Sequence, residues 1–495
     1  MATQHPDNAN APKWKSDGQP FIGLYDELYE ALESFINLDI PEFMWDWEGK
    51  HADSAVVDKL LSNYHSYFAK HKLGKDRYLT FRIPNIWQEK GYSLLQAMTV
   101  ILTSEDYARD LKFGQRPLFE VILPMTSSAK QLMHMHELFG QLANFKSEVF
   151  NGSHKNNDQL ELIPLVESVA SQQTIGQLLN EYLKLYKSKF GKSPAYIRPF
   201  LARSDPALVS GLIATVLANK TGLSQVYEFS KRWHIAVYPI AGVGSLPFRG
   251  GLSPSSASSY AAQYPGLRTV TIQSSFRYDH STAEVKRAIK TLAQDLPRSK
   301  PHIITGADQK LLDRIIHKAS ELYRSTLKDI IKDMEPLFEA VPRRRERRQH
   351  IGLLAYSRSA GPLHLPRAIT FTAAFYSLGV PPELIGSGRL LESLSGAQLD
   401  LLLRHYPTLP SDLQKAGHYF SQNNLAVLAK RNKSWQQLSQ DVKAIERILG
   451  IRLGPRTNDE ISHVNLSANV FPTKKNPRKL SALIDELAQL RRSLG

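Results

Sequence analysis

Residues 160–201, LELIPLVESVASQQTIGQLLNEYLKLYKSKFGKSPAYIRPFL, carry the clearest pattern of secondary structure in the chain. The stretch begins with an apolar run at 160–166 and ends with a run rich in apolar and aromatic residues at 195–201. Between the two runs, apolar side chains recur at the spacing of one helix face, as Leu178, Leu179, Tyr182, Leu183 and Tyr186. The stretch therefore predicts a strand, an amphipathic helix and a second strand.

The same alternation repeats along the chain. Short apolar runs that predict strands lie at 42–47, 78–83, 118–123, 160–166, 195–201, 235–240, 269–273 and 351–357. Amphipathic segments such as 127–144 lie between them, which favours a parallel sheet covered by helices. About eight such units predict an α/β fold, a (β/α)8 TIM-type barrel, with an open doubly wound sheet as the alternative.

The pattern changes near residue 285 and becomes mainly helical, without a clear linker. We therefore expect a single domain over residues 1–495. Most of the barrel would lie in 1–284. A large additional helical region, mainly in the C-terminal third, would lie in 285–495 and include the last predicted strand.

Composition excludes several classes of protein. The 495 residues include no cysteine, which rules out a disulfide scaffold, a thiolate zinc site and a cysteine nucleophile. The first 20 residues are polar and lack the apolar core of a signal peptide. The most apolar long run, 208–222, is too short to span a bilayer. These features predict a cytoplasmic protein with no membrane partner.

The formal net charge is +15, which admits three interpretations. The chain could bind nucleic acid, handle a multiply charged anionic substrate, or simply carry a basic solvated surface. The most basic run is RRRERR at 343–348, which is either a phosphate-binding patch or a solvated helix face. Charge alone does not choose among these interpretations.

Polar residues follow the predicted strands, where barrel enzymes place their chemistry. They are Glu48, Arg82, Glu167, Arg203, Asp205, Gln273, Arg277 and Arg358. The carboxylates Glu167 and Asp205 could hold one divalent cation, act as a general acid and base, or pair with the arginines. The residues themselves leave these three roles open.

Two interrupted segments add further arginines. LPFRGGLSPSSASS at 246–259 combines glycines, which allow close backbone approach, with Arg249, whose fork matches phosphate or carboxylate. Its serine-rich end is typical of a mobile lid or of a flexible surface loop. SRSAGPLHLPRAI at 357–369 carries Arg358 and Arg367 and suits anion recognition.

Seven motifs together resemble one known family. In chain order they are TQHPDN, FRIPN, LPMTSSAKQL, IPLVES, ARSDPAL, GSLPFRGGLSP and YSRSAG…LPRAI. This ordered set resembles phosphoenolpyruvate carboxylase, in its short archaeal-type branch. The resemblance implies an anaplerotic enzyme, which joins phosphoenolpyruvate and bicarbonate to give oxaloacetate and phosphate and so feeds the tricarboxylic acid cycle. It implies a route through carboxyphosphate and a metal-stabilised enolate, a homotetramer, and no nucleic-acid partner.

The resemblance also implies roles for individual residues. The catalytic ones are His5, in a T-x-H-P motif, and Arg249, in a glycine-rich loop that closes over the intermediate. Metal ligands for Mg²⁺ or Mn²⁺ would be Glu167 and Asp205. Substrate-binding residues would be Arg82, Gln273, Arg277, Arg358 and Arg367. Two positions depart from the longer branch, which has a lysine at Leu208 and an arginine at Val243.

The resemblance changes the expectation for TQHPDN, residues 3–8. A chain terminus usually frays, but a catalytic His5 requires this segment to fold into the barrel mouth, so we predict an ordered N-terminus. Two alternatives remain. Another phosphoenolpyruvate- or pyruvate-handling barrel lyase or mutase would need the carboxylates but not the histidine and arginines. A nucleic-acid-binding protein using 343–348 would leave the strand-end carboxylates unexplained.

Overall fold

An eight-stranded sheet forms the centre of the molecule. The computed structural model describes residues 1–15, 21–48, 53, 55–88, 91–114, 116–149, 160–342, 346–347, 358–360 and 363–495. The strands are β1 (Ala2–Thr3), β2 (Glu42–Asp46), β3 (Tyr78–Arg82), β4 (Glu120–Leu123), β5 (Glu161–Val166), β6 (Phe200–Ala202), β7 (Ile240–Gly242) and β8 (Thr269–Val270). They pair in that order, and every neighbouring pair is parallel.

The sheet curls so that its two edges approach each other. On one side of β1, Ala2 lies opposite Phe43 of β2. On the other side, the Thr3 N–H donates to the Ile272 carbonyl at 3.0 Å, and the Ile272 N–H donates to the Met1 carbonyl at 2.8 Å. The chain's first strand therefore lies beside the segment that follows its last sheet strand.

Seven of the eight predicted strands are confirmed, and the sheet contains one strand that was not predicted. The run 351–357 lies outside the described residues, whereas Ala2–Thr3, which no pattern marked, takes part in the sheet. Two predicted strands are each split at a proline, Pro199 and Pro239, because proline has no N–H to donate. Short two-stranded pairings accompany the sheet, namely Tyr196–Ile197 with Ala236–Val237, Phe21–Ile22 with Glu346–Arg347, and Arg358–Ala360 with Leu363–Leu365.

Helices separate the strands as the alternation predicts. Those before residue 300 are Leu24–Ile36, Val56–Asn63, His65–Lys70, Gly91–Asp110, Ala129–Val149, Val169–Gln173, Ile175–Phe190, Ser204–Ser210, Leu212–Trp233, Ala257–Gln263, Ser274–Tyr278 and Thr282–Arg298. Short 3₁₀ turns lie at Pro247–Arg249, Pro254–Ser256 and Pro382–Leu384. The helix expected within 160–201 buries the predicted face, namely Leu178, Leu179, Tyr182, Leu183 and Tyr186.

The region after residue 300 is mainly helical, which confirms that part of the prediction. Its helices are Gly306–Ala340, Ala368–Ser377, Ser387–Glu392, Gly396–His405, Leu409–Gly417, Gln422–Ala429, Lys433–Leu449, Asn458–Ser467, Val470–Thr473 and Pro477–Leu490. The chain's end returns to its beginning, since the Leu494 N–H donates to the Asp7 carbonyl at 2.8 Å. Within the described ranges, none of the helices has the length and apolar character needed to cross a membrane.

The two faces of the sheet bury separate apolar cores. One face packs against the surrounding helices, and the other forms a smaller cluster of Met1, Met44, Ile122, Ile163, Leu165, Phe200, Ala202 and Ile240. At the amino-terminal ends of the strands, Arg198 is ion-paired with Glu42, at 2.9 Å, and with Glu120. The ion pairs fill this end of the sheet. We therefore expect a functional site at the opposite end, where the carboxyl ends of the strands lie.

Candidate active site

The TQHPDN segment is ordered and packed into the carboxyl ends of the strands, which confirms the prediction. Asp7 is completely buried, and its Oδ1 accepts a hydrogen bond of 2.7 Å from the Ser275 N–H. The N–H groups of Ala9 and Asn10 both donate to the Asp279 carboxylate, each at 2.7 Å. These bonds join the start of the chain to residues some 270 positions away, so tertiary contacts replace the fraying expected of a terminus.

His5 lies half-buried among charged groups. Its Nδ1 is 2.9 Å from Thr3 Oγ1, which fixes the ring. Burial lowers the pKa of His5 well below its usual value, the guanidinium groups of Arg82, Arg249 and Arg367 lower it further, and Asp46 opposes them. His5 is therefore a neutral imidazole near neutral pH, able to accept a proton.

Arg82, at the end of β3, is held by two carboxylates. Its Nε and Nη2 donate to Asp46 at 2.8 and 2.6 Å, and its Nη1 lies 2.7 Å from Glu48 Oε2. Burial alone would lower the pKa of Arg82, but Asp46, Glu48 and Glu167 raise it well above its usual range. The guanidinium is thus permanently charged and fixed in orientation. Asp46 was missed as a site residue, although it is a carboxylate within an apolar run.

Arg249 is buried and points toward the N-terminal segment. Its Nη2 donates to Gln273 Oε1 at 2.5 Å, its Nη1 pairs with Asp7 Oδ2 at 3.1 Å, and its Nε donates to Ser204 Oγ at 3.2 Å. The carbonyl of Gly495 also accepts from Nη1. Two of the predicted residues, Arg249 and Gln273, are therefore in direct contact, and Asp7 lies in the same motif as His5.

The glycine-rich stretch adopts a backbone that two of its glycines require. A Cβ on Gly244 would lie 2.9 Å from Arg249 Nη1, so a side chain there would displace the guanidinium. Gly250 has a φ of 131°, and its Cβ would meet the Val243 Cβ at 2.7 Å. Only glycine fits both positions without moving the loop that carries Arg249.

The first half of this stretch packs against apolar side chains. Leu246, Phe248 and Leu252 are all buried, and the Phe248 ring stacks on Phe371 at 5.7 Å between centroids. These apolar side chains anchor the loop, because removing them from water stabilises the packed conformation.

A buried carboxylate, missed from the sequence, fastens the loop to the C-terminal helical region. Glu383 Oε1 accepts hydrogen bonds from the Phe248 N–H at 2.7 Å and from the Tyr376 hydroxyl at 2.6 Å. Burial raises the pKa of Glu383 to about 7, although both hydrogen bonds and the charge of Arg203 oppose the rise. Glu383 therefore holds the backbone N–H of the residue that precedes Arg249.

Glu167 and Asp205 lie at the ends of neighbouring strands. In the register of β5 and β6, Val166 is opposite Leu201; Glu167 follows Val166, and Asp205 is in the first turn of the helix after β6. Both carboxylates are partly exposed, and Glu167 acts electrostatically on Arg82. Carboxylate oxygens on adjacent strand ends fit a hard cation such as Mg²⁺. In the part of the chain that the structure describes, no group of three or more His, Cys, Asp or Glu side chains could hold a metal ion.

The three remaining predicted arginines lie in three different environments. Arg367 is exposed at the start of the helix Ala368–Ser377, close enough to act on His5. The backbone of Arg358 lies in a short strand, and its side chain lies outside the described residues. Arg277 is placed elsewhere, since its side chain is completely buried against Glu30 at 3.0 Å and donates to the Thr3 carbonyl at 2.6 Å. There it supports the backbone of β1 rather than joining the group around His5.

The two positions that depart from the longer branch are core residues. Leu208 is completely buried, and Val243 is 1% exposed. Neither contributes a charge to the site.

Comparisons with known proteins agree on one family. The family model described as phosphoenolpyruvate carboxylase matches residues 1–495. A phosphoenolpyruvate carboxylase of Leuconostoc mesenteroides is 46% identical over 496 residues, covering 100% of this chain and 98% of the relative. The protein of the same name from Pyrococcus abyssi is 39% identical over 432 residues (85% and 88%), and that from Caldivirga maquilingensis is 34% identical over 517 residues (100% and 99%).

Proposed function

The chain belongs to the phosphoenolpyruvate carboxylase family and is a carboxy-lyase that forms oxaloacetate, and we propose that the residues around His5 carry out the reaction. The observation that supports this proposal is the position of His5. It is a neutral imidazole that three guanidinium groups affect electrostatically, at the carboxyl ends of a parallel sheet. Family membership decides against the nucleic-acid-binding alternative and against another lyase or mutase.

The first task of the site is to bring two anions together. Phosphoenolpyruvate and bicarbonate repel each other, and the repulsion grows as water is removed from around them. Arg82 and Arg367 offer fixed positive charge near His5, and arginine cannot lose that charge at neutral pH. Asp46 and Glu48 keep the Arg82 guanidinium in one orientation before the substrate arrives.

The second task is to move one proton. A bicarbonate oxygen attacks the phosphorus, which gives carboxyphosphate and the enolate of pyruvate. We propose that His5 takes the proton of the bicarbonate-derived carboxyl group. Carboxyphosphate then divides into CO₂ and phosphate, and the enolate carbon attacks CO₂ to form oxaloacetate. A lowered pKa suits this role, because the imidazole must be unprotonated when bicarbonate arrives.

The third task is to protect the enolate from water. A protonated enolate becomes pyruvate and is lost to the reaction. The loop that carries Arg249 is buried along Leu246, Phe248 and Leu252, so that side of the site is dry. The Arg249 guanidinium, held by Asp7 and Gln273, lies at the boundary between this loop and the N-terminal segment.

We propose that Glu167 and Asp205 hold Mg²⁺ or Mn²⁺. When bound, the cation supplies a Lewis acid that stabilises negative charge on substrate oxygens. The two carboxylates offer the oxygen ligands that such ions prefer, and Glu167 lies near Arg82 on the same rim. Gln273 and Arg358 complete the proposed set, with Gln273 positioning Arg249 and Arg358 contacting substrate.

We further propose that the curled sheet is a closed (β/α)8 barrel in a single domain over 1–495. The hydrogen bonds between Thr3 and Ile272 support closure, and the bond between Leu494 and Asp7 supports one domain. We also propose a cytoplasmic homotetramer. Apolar side chains exposed on two neighbouring helices, Tyr92, Leu95, Phe145 and Val149, offer surface for contact between subunits. Light scattering on the purified protein tests the tetramer.

A coupled assay for oxaloacetate tests the proposed chemistry. Phosphoenolpyruvate, bicarbonate and Mg²⁺ are each omitted in turn, and each omission is expected to abolish product. Oxaloacetate formed without bicarbonate would refute the route through carboxyphosphate. Full activity in metal-free buffer with a chelator would refute the role of Glu167 and Asp205.

A further inference from the structure

The turn Pro247–Arg249 carries the Arg249 guanidinium, and bonds within the loop fix only the shape of that turn. The Arg249 N–H donates to the Leu246 carbonyl at 2.9 Å, and the Gly244 N–H donates to the Arg249 carbonyl at 2.8 Å. These bonds join residues a few positions apart. The position of the turn relative to the N-terminal segment must therefore be set by groups from elsewhere in the chain.

Two ionisable side chains hold opposite ends of one peptide group in this turn. Glu383 Oε1 accepts a hydrogen bond of 2.7 Å from the Phe248 N–H, and Arg203 Nη2 donates to the Pro247 carbonyl at 3.5 Å. That carbonyl and that N–H belong to the same peptide bond, which is trans and planar, so they point in opposite directions. Holding both ends of a rigid unit fixes its rotation, and with it the direction in which the chain enters Arg249.

Both side chains are buried, and they come from distant parts of the chain. Arg203 follows β6 and Glu383 lies in the 3₁₀ turn Pro382–Leu384, and each is 1% exposed. Burying an ionisable group costs free energy unless a partner compensates it. The two groups are close enough for the charge of Arg203 to oppose the rise that burial causes in the pKa of Glu383. The fold thus accepts two costly groups, and both of them bind the same peptide group.

The residue after Arg203 contacts the guanidinium itself. Ser204 Oγ accepts from Arg249 Nε at 3.2 Å, and the same guanidinium donates to Gln273 Oε1 at 2.5 Å and pairs with Asp7 Oδ2 at 3.1 Å. Hydrogen bonds weaken beyond about 3.2 Å. A shift of the turn by about 1 Å would therefore break these contacts, and a misplacement of that size can lower the rate about a hundredfold.

We propose that Arg203 and Glu383 are positioning residues for the reaction, which act through Arg249 by holding the peptide group between Pro247 and Phe248 at both ends. The inference rests on the proposed function, in which Arg249 is a catalytic residue. Neither positioning residue contacts substrate. Removing either one therefore lowers kcat, whereas the KM for phosphoenolpyruvate and the Mg²⁺ requirement stay within about twofold of the wild type.

Steady-state kinetics on paired variants tests the proposal. Glu383→Ala removes the acceptor of the Phe248 N–H, and Arg203→Met removes the donor to the Pro247 carbonyl. Each is expected to lower kcat by roughly tenfold to a hundredfold. Glu383→Gln keeps an acceptor and Arg203→Lys keeps a charged donor, so both should recover most of the loss. Arg287→Met and Glu335→Ala, at exposed positions on outer helices, should turn over as the wild type does.

Hydrogen exchange in the full-length protein tests the same contacts without catalysis. The amide of Phe248 should exchange faster in Glu383→Ala than in the wild type or in Glu383→Gln, as seen in peptides covering residues 244–252. Tyr376→Phe is a milder variant in case the larger changes prevent folding. It keeps the ring, removes the hydrogen bond of 2.6 Å to Glu383 Oε1, and should lower kcat about two- to fivefold.

Four results would overturn the proposal. They are equal exchange in the wild type and Glu383→Ala, wild-type kcat in every variant that folds, equal losses in the conservative and the drastic variants, and a raised Mg²⁺ requirement in Arg203→Met. The last result would show that Arg203 acts through Asp205, two residues along the chain. Arg249→Gln distinguishes this proposal from the proposed function, because wild-type turnover in that variant would refute the catalytic role of Arg249, whereas the exchange result is independent of that role.

Discussion

Replacing Glu383 by glutamine should remove a pH-dependent loss of stability. Glu383 is 1% exposed, and burial raises its pKa from 4.5 to about 7 in the folded protein. The folded state therefore binds the proton more tightly than the unfolded state does. Stability from this group is fully present below about pH 4.5 and is lost as the pH rises through about 7.

The size of the effect follows from the two pKa values. Each pKa unit corresponds to about 1.4 kcal/mol, so a difference of about 2.5 units amounts to roughly 3 kcal/mol when the titration is complete. Between pH 5 and pH 8, the titration of Glu383 lowers the free energy of unfolding by about 2.5 kcal/mol. The glutamine retains an oxygen to accept from the Phe248 N–H and the Tyr376 hydroxyl, but it does not titrate.

Urea unfolding at pH 5 and pH 8 measures the effect. We expect the free energy of unfolding of Glu383→Gln, minus that of the wild type, to be about 2.5 kcal/mol more positive at pH 8 than at pH 5. Glu335→Gln, at an exposed position of the helix Gly306–Ala340, is the matched control and should show no such difference. If Glu383→Gln and the wild type differ equally at the two pH values, Glu383 does not titrate as the buried carboxyl described here.

Three further predictions concern the site and the base of the sheet. His5→Asn removes the proton acceptor and should lower kcat by about 10²- to 10⁴-fold with the fold intact by circular dichroism; unchanged turnover would contradict the assignment. Glu167→Gln should raise the Mg²⁺ concentration that gives half-maximal activity, and an unchanged metal titration would exclude Glu167 as a ligand. Arg198→Met removes the guanidinium that is ion-paired with the buried Glu42 and Glu120 and should cost about 3–5 kcal/mol in urea unfolding. A loss below about 1 kcal/mol would show that these carboxylates find other partners.

Local pattern was enough to predict the repeating elements. The helix Ile175–Phe190 buries the five residues expected, because its register depends only on which side chains in that segment are apolar. The same reasoning found seven sheet strands but not Ala2–Thr3. A strand of two residues has no periodicity, and its membership depends on backbone pairing with Ile272 at the far end of the sheet.

The site was predicted in part because its motifs are short and ordered along the chain. His5, Arg82, Glu167, Arg249 and Gln273 were each named by resemblance, but Asp46, which holds Arg82, was not. Asp46 holds Arg82 from 36 residues away. Such a pairing depends on the register of β2 and β3, and a local motif carries no information about register.

What the sequence alone determined is therefore the alternation of strands and helices, the family, and the residue types that the chemistry needs. The tertiary structure decided which of those residues meet. Arg249 and Arg277 both follow strands, yet Arg249 contacts Asp7 beside His5, whereas Arg277 is buried against Glu30 behind β1. The physical reason is that a buried guanidinium must lie where a carboxylate can balance its charge, and packing of distant segments decides where that carboxylate is.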